Sequence, residues 1–96
     1  MYKPARYPLT MRYISLADLP QGESGTIVAL HEQHHDKRHG YHDGLANRLM
    51  ALGFLPGRTV KIERRGKWGG PLQVYIGTTA IILRPSEAKV IEVTSL

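Results

Sequence analysis

Apolar positions in the second half of this chain follow a period of two. Val60 and Ile62 alternate with Thr59, Lys61 and Glu63, and Leu72, Val74 and Ile76 alternate with Gln73 and Tyr75. Alternation of this kind places the apolar set on one face of a strand. It predicts strands over residues 58–65 and 72–76. Residues 25–30, 79–84 and 89–93 are short apolar, β-branched runs and are read as three further strands, the first two buried on both faces. A helical period occurs once: Leu45, Leu49 and Leu52 fall at i, i+4 and i+7, predicting a helix over residues 44–52 with one apolar stripe. Asp43 stands where an N-cap is wanted. Gly53 stands where a left-handed cap would end the helix, with Phe54 folding back as its hydrophobic contact.

The residues between these segments specify turns. Ser15 can cap a short helical turn that carries Asp18, and Pro20 and Gly22 end it. Pro56-Gly57 fits the centre of a type II turn, and Gly77-Thr78 fits a two-residue type II′ hairpin. Residues 66–71 form a glycine-rich turn around Trp68, and residues 85–88 a single tight turn. The expected fold is mainly β: five short strands closed into a small barrel, with one helix between the first and second strands plugging an open end. Residues 1–13 are expected to be a flexible tail and residues 14–96 a single domain. Residues 31–43 are polar and aperiodic and read as a loop within it.

Composition narrows the chemistry. The 96 residues include no cysteine, which excludes disulfides, thiolate metal sites and a cysteine nucleophile. No apolar run approaches the roughly 18–20 residues that span a bilayer, so the chain is not expected to be membrane-embedded. The basic N-terminal segment, with Pro4 and Pro8, lacks the apolar stretch of a signal peptide, and the expected location is cytoplasmic. The formal charge of +5 draws on Arg58, Lys61, Arg64, Arg65 and Lys67, and favours acidic partners of some kind. One short helix, no helix-turn-helix and no cluster of stacking aromatics argue against specific nucleic-acid binding. No Gly-x-Ser-x-Gly elbow or phosphate-binding loop is present, and no enzymatic activity is expected.

All five histidines, His31, His34, His35, His39 and His42, lie in the polar loop with Glu32, Asp36 and Asp43. Imidazole and carboxylate groups are ligands for zinc and other divalent transition metals. The spacing matches no established metal motif. The same loop could be merely solvated, could bind metal within one chain, or could bridge two chains in a metal-linked homodimer. No cofactor is required by the rest of the sequence. Met50 and Phe54 lie beside the helical stripe and are read as core. Trp68, among turn glycines, suits either a lid on the barrel end or a protein interface.

The order of these motifs resembles the FeoA family. Leu16-Ala17-Asp18-Leu19-Pro20 and Gly22-Glu23-Ser24-Gly25-Thr26-Ile27 resemble its opening. Arg48-Leu49-Met50-Ala51-Leu52-Gly53-Phe54-Leu55-Pro56-Gly57 resembles its central helix and turn. Gly69-Gly70-Pro71-Leu72, Ile82-Leu83-Arg84 and Ile91-Glu92-Val93 resemble its later hairpin and strands. The resemblance implies an SH3-like barrel, of a kind that also occurs in iron-dependent repressors of the DtxR type. It further implies a non-enzymatic accessory of ferrous iron uptake that contacts FeoB, a membrane transporter with a cytosolic GTPase domain. The expected contact residues are Arg48, Met50, Leu55, Pro56, Gly57, Arg64, Arg65 and Trp68. The alternative function is metal sensing or delivery through the histidine loop. The sequence departs from the family pattern in its long histidine-rich loop, in its extended N-terminal tail and in Gly70, where the family often has Asp.

Overall fold

The computed structural model describes residues 12–31 and 44–95. The expected tail up to residue 11, the histidine loop from residue 32 and the Asp43 cap lie outside the described residues. In chain order the elements are β1 (Arg12–Ser15), a 3-10 turn (Leu16–Asp18), β2 (Ser24–Leu30), α1 (Leu45–Ala51), β3 (Thr59–Arg65), a second 3-10 turn (Lys67–Gly69), β4 (Leu72–Ile76), β5 (Thr79–Leu83), α2 (Pro85–Ala88) and β6 (Ile91–Ser95). The fold is mainly β, as the alternation requires, but it has six strands where five were expected. The additional one is β1, which takes in Arg12 and Tyr13 from the segment read as tail. It pairs with β6 from Arg12↔Ser95 to Ser15↔Glu92. The helix consequently falls between the second and third strands.

The strands form one sheet in the order β1-β6-β2-β3-β4-β5, and every neighbouring pair is antiparallel. The ladder leaves β1 and β5 as edges, so strand pairing does not complete the closed ring expected from the sequence. β6 lies between β1 and β2, which joins the two ends of the chain. Gly25 is required for that approach: a Cβ there would stand 2.5 Å from the backbone oxygen of Thr94 in β6. β2 is buried on one face rather than two, with Gly25 and Ile27 inside and Thr26 and Val28 outside. Its register shifts between Ile27 and Ala29, and the bulge re-aims the end of the strand.

Turn chemistry sets most of the remaining geometry. The Ser15 hydroxyl accepts from the Ala17 amide at 3.0 Å, capping the first 3-10 turn as expected. α1 is shorter than predicted, with Gly44 at its N-cap and no side-chain cap there. Its end is a Schellman motif: Phe54 N–H donates to Leu49 C=O at 3.1 Å, and Gly53 N–H to Met50 C=O at 3.0 Å. Gly53 takes the positive φ (+114°) that this motif needs. Phe54 is thereby folded into the core against Leu49. Leu52, expected on the buried stripe, is left 54% exposed. The buried face of α1 is Ala46 and Leu49, with Leu45 packed at its margin.

The type II turn forms as predicted, with Arg58 N–H donating to Leu55 C=O at 3.0 Å and Gly57 at φ +93°. Gly77 opens the two-residue β4–β5 hairpin at φ +60° while Thr78 keeps a negative φ, which is the type II′ pattern. β5 was expected to be buried, yet Thr79, Ala80 and Ile82 are exposed and Leu83 alone is fully buried. It is the outermost strand, so a layer covers only its inner side. Residues 85–88 complete one helical turn, α2, with Pro85 at its start and Glu87 Oε1 accepting from the Arg84 amide at 2.8 Å. Lys89 and Val90 belong to the exit of α2, which delays β6 to Ile91.

Phe54 is wholly buried and Leu52 is largely solvated, although only Gly53 separates them. Phe54→Ala is expected to cost about 3–5 kcal/mol of stability, and Leu52→Ala less than about 0.5 kcal/mol. Urea unfolding followed by circular dichroism measures both. Equal losses would mean that the helix stripe, and not the Schellman turn, anchors α1.

Candidate functional site

The residues singled out in the sequence separate into several places. The first is the end of β2. The His31 amide donates to Val90 C=O at 2.8 Å, and its Nε2 lies 2.9 Å from Glu92 Oε1. The imidazole is exposed and held by a carboxylate on β6. His34, His35, His39, His42, Glu32, Asp36 and Asp43 lie outside the described residues. Among the described residues no three His, Asp or Glu side chains converge as metal ligands.

The second place is the α1–β3 connection. Leu55, Pro56 and Gly57 are exposed, and Met50 is half-buried beside them on the chain. Leu52 joins this apolar group, although the sequence reading placed it in the core. The helix length decides its position: a seven-residue helix ends before its last predicted stripe residue can turn inward. The turn is fixed to the sheet, since Gly57 N–H donates to Ile27 C=O at 2.7 Å and Ile27 N–H to Arg58 C=O at 2.9 Å.

The third place is the β3–β4 turn at the opposite end of β3. A seven-residue strand spans roughly 20 Å, so Trp68 does not share a patch with Leu55, Pro56 and Gly57. Trp68 is 98% exposed. It adopts φ 60° and ψ 40°, the only positive φ at a non-glycine among the described residues. The turn beneath it is closed by Gly66 N–H donating to Pro71 C=O at 2.7 Å and Gly70 N–H to Lys67 C=O at 3.0 Å. The lid reading of Trp68 is therefore not what the structure displays.

Arg64 and Arg65 also part company. Arg64 is exposed, whereas Arg65 is half-buried and turned toward the 3-10 turn after β1. Its Nη2 donates to the carbonyl oxygens of Ala17 and Leu19, and its amide donates to Gln21 Oε1 at 2.8 Å. Arg65 thus clamps the Leu16–Leu19 corner onto β3. Arg48 lies elsewhere again, lining an open groove with Gly70, Pro71, Ile82, Arg84 and Glu87. Ile82, 63% exposed on the edge strand, was not anticipated as a surface residue. Its apolar neighbours in sequence gave no sign that the strand lay at an edge.

Comparison with known proteins places this geometry. Residues 14–95 match the model of the FeoA domain. The chain is 31% identical to Fe(2+) transport protein A of Campylobacter jejuni over 80 residues, covering 83% of this chain and 96% of that protein. The zinc complex of Stenotrophomonas maltophilia FeoA, a procaryotic SH3 domain protein, superimposes with a TM-score of 0.71 at 32% identity. That match covers 85% of this chain and 95% of the other. T. acidophilum IdeR shares the fold alone, with a TM-score of 0.67 at 20% identity over 94% of this chain and 36% of its own.

The two adjacent arginines are expected to separate in their effect on stability. Arg65→Met leaves the Ala17 and Leu19 carbonyls without their donor and should cost about 1–3 kcal/mol. Arg64→Met, made at the solvated neighbour, should stay within about 0.5 kcal/mol. Urea midpoints by circular dichroism decide between them, and equal midpoints would remove the clamp assigned to Arg65.

Proposed function

This chain belongs to the FeoA family, and we propose that it serves ferrous iron uptake as a non-enzymatic cytoplasmic accessory that docks on the membrane transporter FeoB. The observation that carries this reading is the family match over residues 14–95, supported by the similarity to an Fe(2+) transport protein A along nearly its whole length. Iron is the cargo of such a system, and no cofactor of the accessory itself is needed for it to act by contact. Among the described residues no helix is long and apolar enough to cross a membrane.

The docking face proposed is the α1–β3 connection, where Leu52, Leu55 and Pro56 stand exposed and Met50 is half-covered. Apolar side chains on a rigid turn suit a protein interface, because their ordering cost is met when the turn forms. Arg58, exposed next to Gly57, adds positive charge that would steer an acidic partner surface, whereas Arg48 and Arg64 lie away from this face. Binding favours one conformation of the partner and so alters its transport or nucleotide turnover. Trp68, on the far side of β3, is left out of this face.

A second reading rests on the zinc bound to the S. maltophilia relative. In it, His31 and the other loop histidines, His34, His35, His39 and His42, take up zinc or another divalent transition metal, within one chain or between two, and act as a sensor or carrier. Histidine and carboxylate donors suit such metals.

The two readings separate in one pull-down from detergent-solubilised membranes, with this protein as bait, chelator in one arm and ferrous iron in the other. Capture of FeoB in both arms, weakened at least about tenfold by Leu55→Asp, is the expected result. Capture only with iron, abolished by His34→Ala with His35→Ala, would favour the metal reading. Absence of FeoB from both arms would overturn the docking function.

A further inference from the structure

The β3–β4 turn holds its tryptophan in an unfavourable way. A left-handed conformation is disfavoured at a residue bearing a Cβ, yet Trp68 adopts it while glycines occupy 66, 69 and 70. The same conformation leaves the indole almost wholly in water. Such an outlier, kept where a glycine would be unstrained, points to a use for the side chain.

Its surroundings indicate what that use is. Lys67 and Arg64 flank it on the hairpin, both exposed, and neither has a carboxylate within ion-pair distance among the described residues. Glu63, next to Arg64 in sequence, lies 3.8 Å from Lys61, and Glu87, in the groove with Gly69 and Gly70, accepts from the Arg84 amide. The hairpin therefore presents one amphipathic ring with two exposed cations, free of ion pairs among the described residues, on the chain leading into it. Beside the hairpin glycines and Pro71 the exposed apolar surface is Ile82 alone, in a groove that Arg48, Arg84 and Glu87 also line, and one isoleucine on one side is not the closed apolar rim that surrounds a tryptophan at the centre of a protein interface. A fluid, negatively charged surface requires no such rim. An indole settles at headgroup depth with its ring in the apolar boundary and its N–H hydrated, and basic side chains beside it are drawn to anionic lipid.

We propose that the Trp68 hairpin is a peripheral anchor for anionic lipid headgroups, with Trp68 inserting at the interface and Lys67 and Arg64 pairing with lipid phosphates. The anchor is separate from the docking face and does not depend on it. Lying roughly 20 Å away along β3, it would hold the domain against the bilayer while the α1–β3 turn faces a protein partner. Each contact is weak alone, and together they raise the effective concentration of one for the other.

The test uses the whole chain and protein-free vesicles, so its failure and failure of the partner reading are distinguishable. Trp68 is the sole tryptophan and reports on itself. Vesicles of phosphatidylglycerol and phosphatidylethanolamine are compared with vesicles of phosphatidylcholine alone, at low salt. Phosphatidylglycerol should shift the emission to shorter wavelength, brominated lipid should quench it, and raised salt should reverse both. Arg64→Glu with Lys67→Glu, which keeps the reporter, should weaken partitioning at least about tenfold. Trp68→Ala should lower co-sedimentation with the same vesicles while leaving the urea midpoint unchanged. Emission indifferent to phosphatidylglycerol would overturn the proposal, as would equal sedimentation of all variants. A shift produced by soluble FeoB domain but not by vesicles would overturn it in favour of a protein contact.

Discussion

The pairing of β6 with both β1 and β2 holds the remainder of the molecule in place. The last strand of the chain lies between the first two, so the inner face of the sheet is continuous only once the C-terminal residues have arrived. Ile91 and Val93 then stand in the centre of the core with Ile27, Val60 and Phe54. This pairing depends on Gly25, because any side chain there would strike the β6 backbone at Thr94. It also depends on Ser15, whose hydroxyl lies within hydrogen-bond range of the α2 carbonyls of Ala88 and Lys89 while capping its own turn. The order of events in folding is constrained accordingly. The β3–β4–β5 meander is local and can form early, whereas the β1–β6–β2 half requires contacts across nearly the whole chain.

Elements whose geometry is fixed by adjacent residues were legible in the sequence. The alternation of β3 and β4, the Gly53 cap, the Pro56-Gly57 turn and the Gly77-Thr78 hairpin each rest on side chains or dihedrals within a few positions. What was not legible depends on residues far away. β1 is four residues long and carries one inward apolar side chain, Ile14, so no period announces it. The exposure of β5 follows from its being outermost, which its own Thr-Ala-Ile-Ile-Leu run cannot reveal. Leu52 missed the core because the helix stopped early.

The same division applies to the surface. Arg64 and Arg65 are equivalent in sequence, but Arg65 meets carbonyls 46 and 48 residues earlier in the chain, and only the folded arrangement distinguishes a clamp from a free cation. Trp68 was legible as unusual, since it stood among glycines. Its left-handed backbone was not, because tryptophan rarely adopts one. β3 then sorts the proposed contacts: the apolar turn at its start is rigidly tied to β2, and the aromatic tip at its end projects alone. A strand that only spaces two contacts can set how the domain is oriented between two surfaces.

The near-complete solvation of Trp68 has a consequence for how the domain can be observed. An indole that is already hydrated in the native state changes environment little when the chain unfolds. Its fluorescence should therefore be almost blind to denaturation. Far-ultraviolet dichroism or tyrosine signals must report folding instead. That blindness is also an advantage: a change in Trp68 emission under native conditions registers an event at the hairpin tip and nowhere else in the protein.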